Sequence, residues 1–270
     1  MRTCFNTATS GEYPLKDTID FLGRYGYEGI EIDNARLEEY LAERSLDDLR
    51  AQLAGNGVEV AGLMAFPFKP FGERAHIVAN VGGHAEMAKA LGASVLLYFI
   101  AEQPPEGMGR EEAVTQAAAV AAEYADGAAP FGAKIALEPI GGQRFMGGPV
   151  DALDVVAACG RDNVGVMIDT FHYYKSGVPL QEIQAIPVER LLIVHVNDSP
   201  DLPREELNDG HRVYCGEGTI PLVEEFRALK AMGYGGFLSV EIFNRGYWAD
   251  AHENIVRNSK QALDRVLARV

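Results

Sequence analysis

Eight short apolar, β-rich runs recur along this chain, and each is followed by a stretch with helical patterning. They are "TCFNTA" (3–8), "GIEID" (29–33), "VEVAGLMA" (58–65), "SVLLYFI" (94–100), "KIALEPI" (134–140), "VGVMID" (164–169), "LLIVHVND" (191–198) and "FLSVEIFN" (237–244). Most are apolar at consecutive positions, as strands covered on both faces must be. Ser45 and Asp48 have capping-box spacing ahead of Leu49 and Leu53. Pro14 suits the first turn of a helix carrying Ile19 and Leu22, and "PLVEEFRALKAMGYGG" opens with Pro221 and stops at Gly233. The stretch "EEAVTQAAAVAAEYADGAA" is rich in the strongest helix former. Eight strand–helix alternations joined by right-handed crossovers predict an α/β fold, a single (β/α)8 TIM barrel spanning residues 1–270 as one domain. A doubly wound open sheet is the rival, but no GxGxxG or phosphate-loop pattern follows any strand.

Charge narrows what such a barrel does. With 24 Lys and Arg against 39 Asp and Glu, the net charge is −15. That argues against nucleic acid and anionic membrane as partners, both of which need clustered cations. No apolar run is long enough to span a bilayer and "MRTCFNTATS" lacks signal-peptide character, so a cytoplasmic protein is expected. Cys4, Cys159 and Cys215 are scattered with no CxxC, which indicates neither a disulfide framework nor a thiolate zinc site.

Polar residues gather at the strand ends. In "VGVMIDTFHYYKSG" an apolar strand runs into Asp169, and His172 stands three residues on. Reactive groups of (β/α)8 barrels sit at the C-terminal ends of the strands. The fifth run carries Glu138, the sixth Asp169, the seventh His195 followed by Asn197 and Asp198, and the eighth Glu241. Glu138, Asp169, His195 and Glu241 together make a donor set for one divalent ion, with Mn²⁺ the best match and Mg²⁺, Co²⁺ or Zn²⁺ as alternatives. Without a cation, three converging carboxylates would repel one another and take up protons. Singly, each residue has a structural explanation. Asp169 is also a good helix N-cap, Asp198 before Ser199 and Pro200 has turn chemistry, and His195 between two valines could be a core histidine. Glu138 and Glu241 are poor caps among apolar neighbours, and it is the set of four that points to metal.

The segments "IALEP", "MIDTFH", "VHVND", "HRVYCGEG" and "LSVEIFN" resemble the xylose isomerase-like barrels, a family of sugar-phosphate isomerases, keto-sugar epimerases and apurinic endonucleases. Along essentially the whole chain, "CFNTATS", "YGYEGIEI" and "EYLAERSLDDL" are similar to stretches of the bacterial inosose (2-keto-myo-inositol) isomerases in that family. The resemblance implies that Glu138, Asp169, His195 and Glu241 bind one divalent ion. It also implies that Glu138 and Glu241 act as acid and base on opposite faces of a keto-sugar, and that His172 and Arg212 contact substrate oxygens. The loops "FPFKPFGERAH" and "GGQRFMGGP" depart from the inosose isomerase pattern, and barrel loops set specificity.

The expected reaction moves a proton through a metal-stabilised cis-enediolate: one glutamate takes the proton beside the carbonyl, and its return to the neighbouring carbon shifts the ketone. Returned to the same carbon from the other face, it makes an epimerase; expulsion of a β-substituent makes a dehydratase or C-glycoside eliminase. A non-catalytic carbohydrate-binding barrel has little use for two glutamates beside a metal. Few basic residues near the strand ends favour an unphosphorylated polyol. His172 could instead be a helix-start residue, and Arg212 could pair with one of many acids. Phe66, Phe68, Phe71, Tyr247 and Trp248, read as loop residues, could wall a ring-shaped substrate or cover a homo-oligomer contact.

Overall fold

Each apolar run becomes a strand whose side chains are shielded on both faces. The computed structural model describes all 270 residues, Met1–Val270. The strands are β1 (Arg2–Asn6), β2 (Gly29–Asp33), β3 (Glu59–Phe68), β4 (Val95–Ile100), β5 (Lys134–Glu138), β6 (Val164–Asp169), β7 (Leu191–Val196) and β8 (Phe237–Val240). The helices are α1 (Leu15–Tyr25), α2 (Asn34–Glu43), α3 (Leu46–Asn56), α4 (Ala75–Ala90), α5 (Arg110–Ala128) and α6 (Pro149–Cys159). They continue with α7 (Thr170–Ser176), α8 (Leu180–Gln184), α9 (Leu222–Ala231), α10 (Arg245–Trp248) and α11 (His252–Leu267). The strands close in sequence order, β1 to β8, as a TIM barrel.

Two runs end where they do for local reasons. "TCFNTA" stops as a strand at Asn6, whose Oδ1 accepts the Ala8 N–H at 2.9 Å and turns the chain into a short 3-10 helix. β3 runs three residues beyond the expected Ala65. Its register with β4 shifts between Leu63 and Phe66, and Ala65 takes φ 73°, the signature of a bulge that re-aims the strand. The correction matters for the aromatics. Phe66 and Phe68 belong to β3 and are buried, with Phe66 stacked on His84 at 4.2 Å, so neither is a loop residue free to wall a substrate.

By contacts the chain divides into two units, Met1–Ala61 with Val194–Val270, and Gly62–Ile193. In the first, α1 buries Leu15, Ile19 and Leu22 and packs against α3 and α11. Ser45 and Asp48 form the capping box at the start of α3, a device that stabilises a helix by about 1 kcal/mol. In the second, α5 packs between α4 and α6, with Ala113, Ala117, Ala121 and Ala125 buried along it.

A pH dependence arises in the first unit. His252 is buried between Ser10 Oγ and Thr18 Oγ1, each 3.1 Å from Nε2, and its ring stacks on Tyr13 at 4.4 Å. Burial pushes its pKa down from 6.5 to about 4, with Asp17 opposing. A histidine that is neutral when folded and charged when unfolded stabilises fully above pH 6.5, and that stabilisation is lost as pH falls from 6.5 towards 4. The loss amounts to about 3 kcal/mol over the window. Urea midpoints at pH 7.5 and pH 5 should therefore fall less in His252→Gln than in the unsubstituted chain. Equal losses in both would remove His252 as the cause.

Candidate active site

The four metal-capable residues reach one place by different local routes. Glu138 and Asp169 are the last residues of β5 and β6, and His195 is the penultimate residue of β7. Glu241 lies one position beyond β8, yet its backbone is still held. Its N–H donates to the Val196 carbonyl at 3.2 Å, and its own carbonyl accepts Asn197 Nδ2 at 3.2 Å. Alternation along these strands turns the four side chains the same way. All four are buried, and one ligand atom from each lies within 4.8 Å of the others. Three carboxylates and one imidazole so close, out of water, form a group able to hold a divalent ion.

Asp169 caps a helix while remaining within the metal-capable group. As N-cap of α7 it accepts the backbone N–H of Phe171 at 2.9 Å and of His172 at 3.0 Å, both on Oδ1. A carboxylate has two oxygens, so capping does not prevent Asp169 from contributing to the metal group. His172, at the third position of α7, is buried. A Cβ at position 141 would come within 2.5 Å of the His172 carbonyl, so only glycine lets the loop after β5 pack so closely here.

His195 is completely buried, with Nδ1 3.1 Å from Glu241 Oε2 and Nε2 2.8 Å from Glu31 Oε2. Arg212 is 1% exposed. Its Nη1 donates to Glu241 Oε2 at 2.7 Å and its Nη2 to Asp209 Oδ1 at 3.0 Å. Of the two readings open for Arg212, the ion pair is the one seen, with a residue of the metal-capable group as well as with an acid beside it.

Sequence reasoning missed Asn6, Glu31 and Ser239. Asn6 Nδ2 donates to Glu31 Oε2 and Glu241 Oε1, both at 3.2 Å, and Ser239 Oγ donates to Glu31 Oε2 at 2.8 Å. A signal existed: in "GIEID", Glu31 sits between two buried isoleucines, a costly place for a carboxylate with no partner.

Asp198 is structural, as its turn chemistry suggests. Its two oxygens accept backbone N–H groups from Ser199, Gly216, Gly218 and Ile220 at 2.8–3.0 Å, tying the "CGEGTI" loop down. A Cβ at Gly218 would lie 2.2 Å from the Ser199 carbonyl, which explains the second glycine of that loop. Of the remaining aromatics, Tyr247 stacks on Tyr214 at 4.0 Å, Phe71 meets Phe145 edge-on at 5.7 Å, and Trp248 lies over Gly11. The three cysteines are free and buried. No helix is long and apolar enough to cross a membrane.

The chain is similar to known proteins. The family model described as xylose isomerase-like TIM barrel matches residues 19–266. An inosose isomerase of Bacillus velezensis is 31% identical, covering 100% of this chain and 98% of that enzyme. A crystal structure of the IOLI protein with a binding zinc atom superposes with a TM-score of 0.92 at 30% identity, covering 100% of this chain and 99% of that one. A 3-dehydroshikimate dehydratase of Pseudomonas aeruginosa is 27% identical over 92% of this chain but only 39% of its own length.

Proposed function

Because the chain belongs to the xylose isomerase-like TIM barrel family, we propose that it is a divalent-metal-dependent isomerase of a keto-inositol (inosose) or a similar keto-sugar. The observation that carries this reading is the grouping of Glu138 and Glu241 with Asp169 and His195 inside 4.8 Å. Full-length similarity to an inosose isomerase supports the substrate class. The donor set fits the ion: buried carboxylates that would otherwise repel, with one imidazole to complete the set. Mn²⁺ is the ion proposed, on the oxygen-rich set, and zinc, which the IOLI structure binds, is the alternative that the metal content of purified protein decides.

When bound, a divalent ion supplies Lewis acidity that polarises a ketone and acidifies the neighbouring C–H. The chain's own groups do the rest. One of Glu138 and Glu241 accepts the proton from the hydroxyl-bearing carbon onto a carboxylate oxygen, a proton is returned to the former carbonyl carbon, and the hydroxyl proton passes to the former ketone oxygen, so the carbonyl moves by one position. Arg212 Nη1 and Asn6 Nδ2 grip the two oxygens of Glu241, so its rotamer is set before substrate arrives. His172 is proposed to contact a substrate oxygen from the first turn of α7, beside Asp169. Arg212 is proposed to do so from its place on Glu241. Net charge of −15 and three reduced, buried cysteines support a cytoplasmic enzyme of small polyols.

NMR of the Mn²⁺-loaded protein with 2-keto-myo-inositol in D2O tests the reading. A new keto-inositol carrying deuterium beside the carbonyl is the expected product. Loss of water instead would make the protein a dehydratase, the activity of the Pseudomonas relative. Deuterium exchange without a new isomer would mean that the proton transfer is right and that the substrate is a different keto-sugar. No exchange on any polyol ketone, with metal confirmed bound, would end the proton-transfer proposal.

A further inference from the structure

Glu31 is the one completely buried carboxylate that the reaction above does not use. It is the third residue of β2, in register with Asn6 of β1, and has 0% exposure. Its Oε2 collects three neighbours: His195 Nε2 at 2.8 Å, Ser239 Oγ at 2.8 Å and Asn6 Nδ2 at 3.2 Å. Its Oε1 has no hydrogen-bond partner. A buried charge held in this lopsided way costs stability unless it does something for its neighbours.

The hydrogen-bond pattern fixes where the protons are. Asn6 Oδ1 accepts the Ala8 N–H at 2.9 Å, so the amide cannot flip and its NH2 must face Glu31 and Glu241. Two donors, that NH2 and the Ser239 hydroxyl, therefore already converge on Glu31 Oε2, which is an acceptor oxygen. His195 Nε2, 2.8 Å from the same oxygen, must be its third donor and carries the ring proton. Asn6 Nδ2 and His195 Nε2, 3.5 Å apart, are then two donors side by side, each aimed at the carboxylate. In a neutral imidazole the other nitrogen keeps its lone pair, and Nδ1 is the one 3.1 Å from Glu241 Oε2 in the metal-capable group.

We propose that Glu31 is a positioning residue: with Asn6 and Ser239 it locks His195 as the Nε2–H tautomer and presents Nδ1 to the ion. The inference rests on the divalent-metal reading of the four-residue group. Glu31 touches neither substrate nor ion and acts through His195. A histidine ligand whose other N–H is held by a carboxylate is fixed in orientation and made a stronger donor, and loss of such a partner typically costs roughly ten- to hundredfold in metal affinity. The geometry also explains why an acid was accommodated in the middle of a buried strand.

Two measurements test it on the full chain. In the metal-free protein, ¹⁵N NMR of the imidazoles, with His195 assigned by a His195→Gln control, should show His195 protonated at Nε2 and not at Nδ1. A proton on Nδ1 would overturn the proposal without any variant. Titration with Mn²⁺ or Zn²⁺ should then show Glu31→Gln binding roughly ten- to hundredfold more weakly than the unsubstituted chain. Its His195 should also lose the single-tautomer signature, while Asp in place of Glu31 should restore part of either. Unchanged affinity and tautomer in a folded Glu31→Gln protein would sink the inference. Failure of the metal reading looks different, because the unsubstituted chain would then bind no divalent ion at all.

Discussion

Glu138→Gln and Glu241→Gln, each loaded with Mn²⁺, should incorporate solvent deuterium into a keto-inositol about 10²–10⁴-fold more slowly than the unsubstituted protein, the usual contribution of a positioned acid or base. Glutamine keeps the shape of glutamate but cannot take a proton from carbon. The two positions are expected to differ in a second respect. Glu241 carries Arg212 on Oε2 and Asn6 on Oε1, so an amide there also unbalances a buried ion pair. Metal content measured on the same samples separates a lost ligand from a lost base. A variant that retains its metal and its exchange rate would show that the glutamate in question is not a proton carrier.

The second large effect is on stability. Arg212 is among the largest fully buried side chains, and its guanidinium bridges Glu241 and Asp209. Replacing it with methionine keeps much of the volume but strands a buried carboxylate, and breaking such a pair costs about 3–5 kcal/mol. Lysine should recover only part of this, because an ammonium lacks the planar fork that reaches both acids. Added Mn²⁺ should stabilise Arg212→Met, as binding to the folded state alone must, and should offset part of the deficit by neutralising Glu241. Urea unfolding with and without metal measures both. A loss below about 1 kcal/mol, the scale of an exposed pair, would mean that the bridge contributes little.

Much of this molecule was legible in local stretches of chain. "VGVMID" and "GIEID" became strands at the expected residues because consecutive buried apolar positions suit a strand covered on both faces. Ser45 and Asp48 capped α3 as their spacing requires, since capping depends on groups three residues apart. The metal-capable group could be anticipated because β5, β6 and β7 each carry a possible metal ligand at or next to their C-terminal ends, and the set is harder to explain than any one of them. Asp169 shows the limit of such reasoning. Cap and metal donor looked like alternatives in sequence, but the two oxygens of one carboxylate allow both.

Other features had no local signal. The bulge at Ala65 moved Phe66 and Phe68 from an expected loop into the core, and only the ladder with β4 reveals it. Arg212 could have paired with any of many acids until the fold put it on Glu241. Glu31 and Ser239 are 208 positions apart, and Glu31 and His195 are 164 apart. Sequence alone determined the order of the elements, the closed α/β architecture and the chemistry gathered at the strand ends, because periodicity and capping act over a few residues. Tertiary structure alone decided which buried polar atoms face one another, and hence which nitrogen of His195 faces Glu31 and which faces Glu241. Those contacts depend on strand register around the barrel, and register is set by the packing of the whole chain.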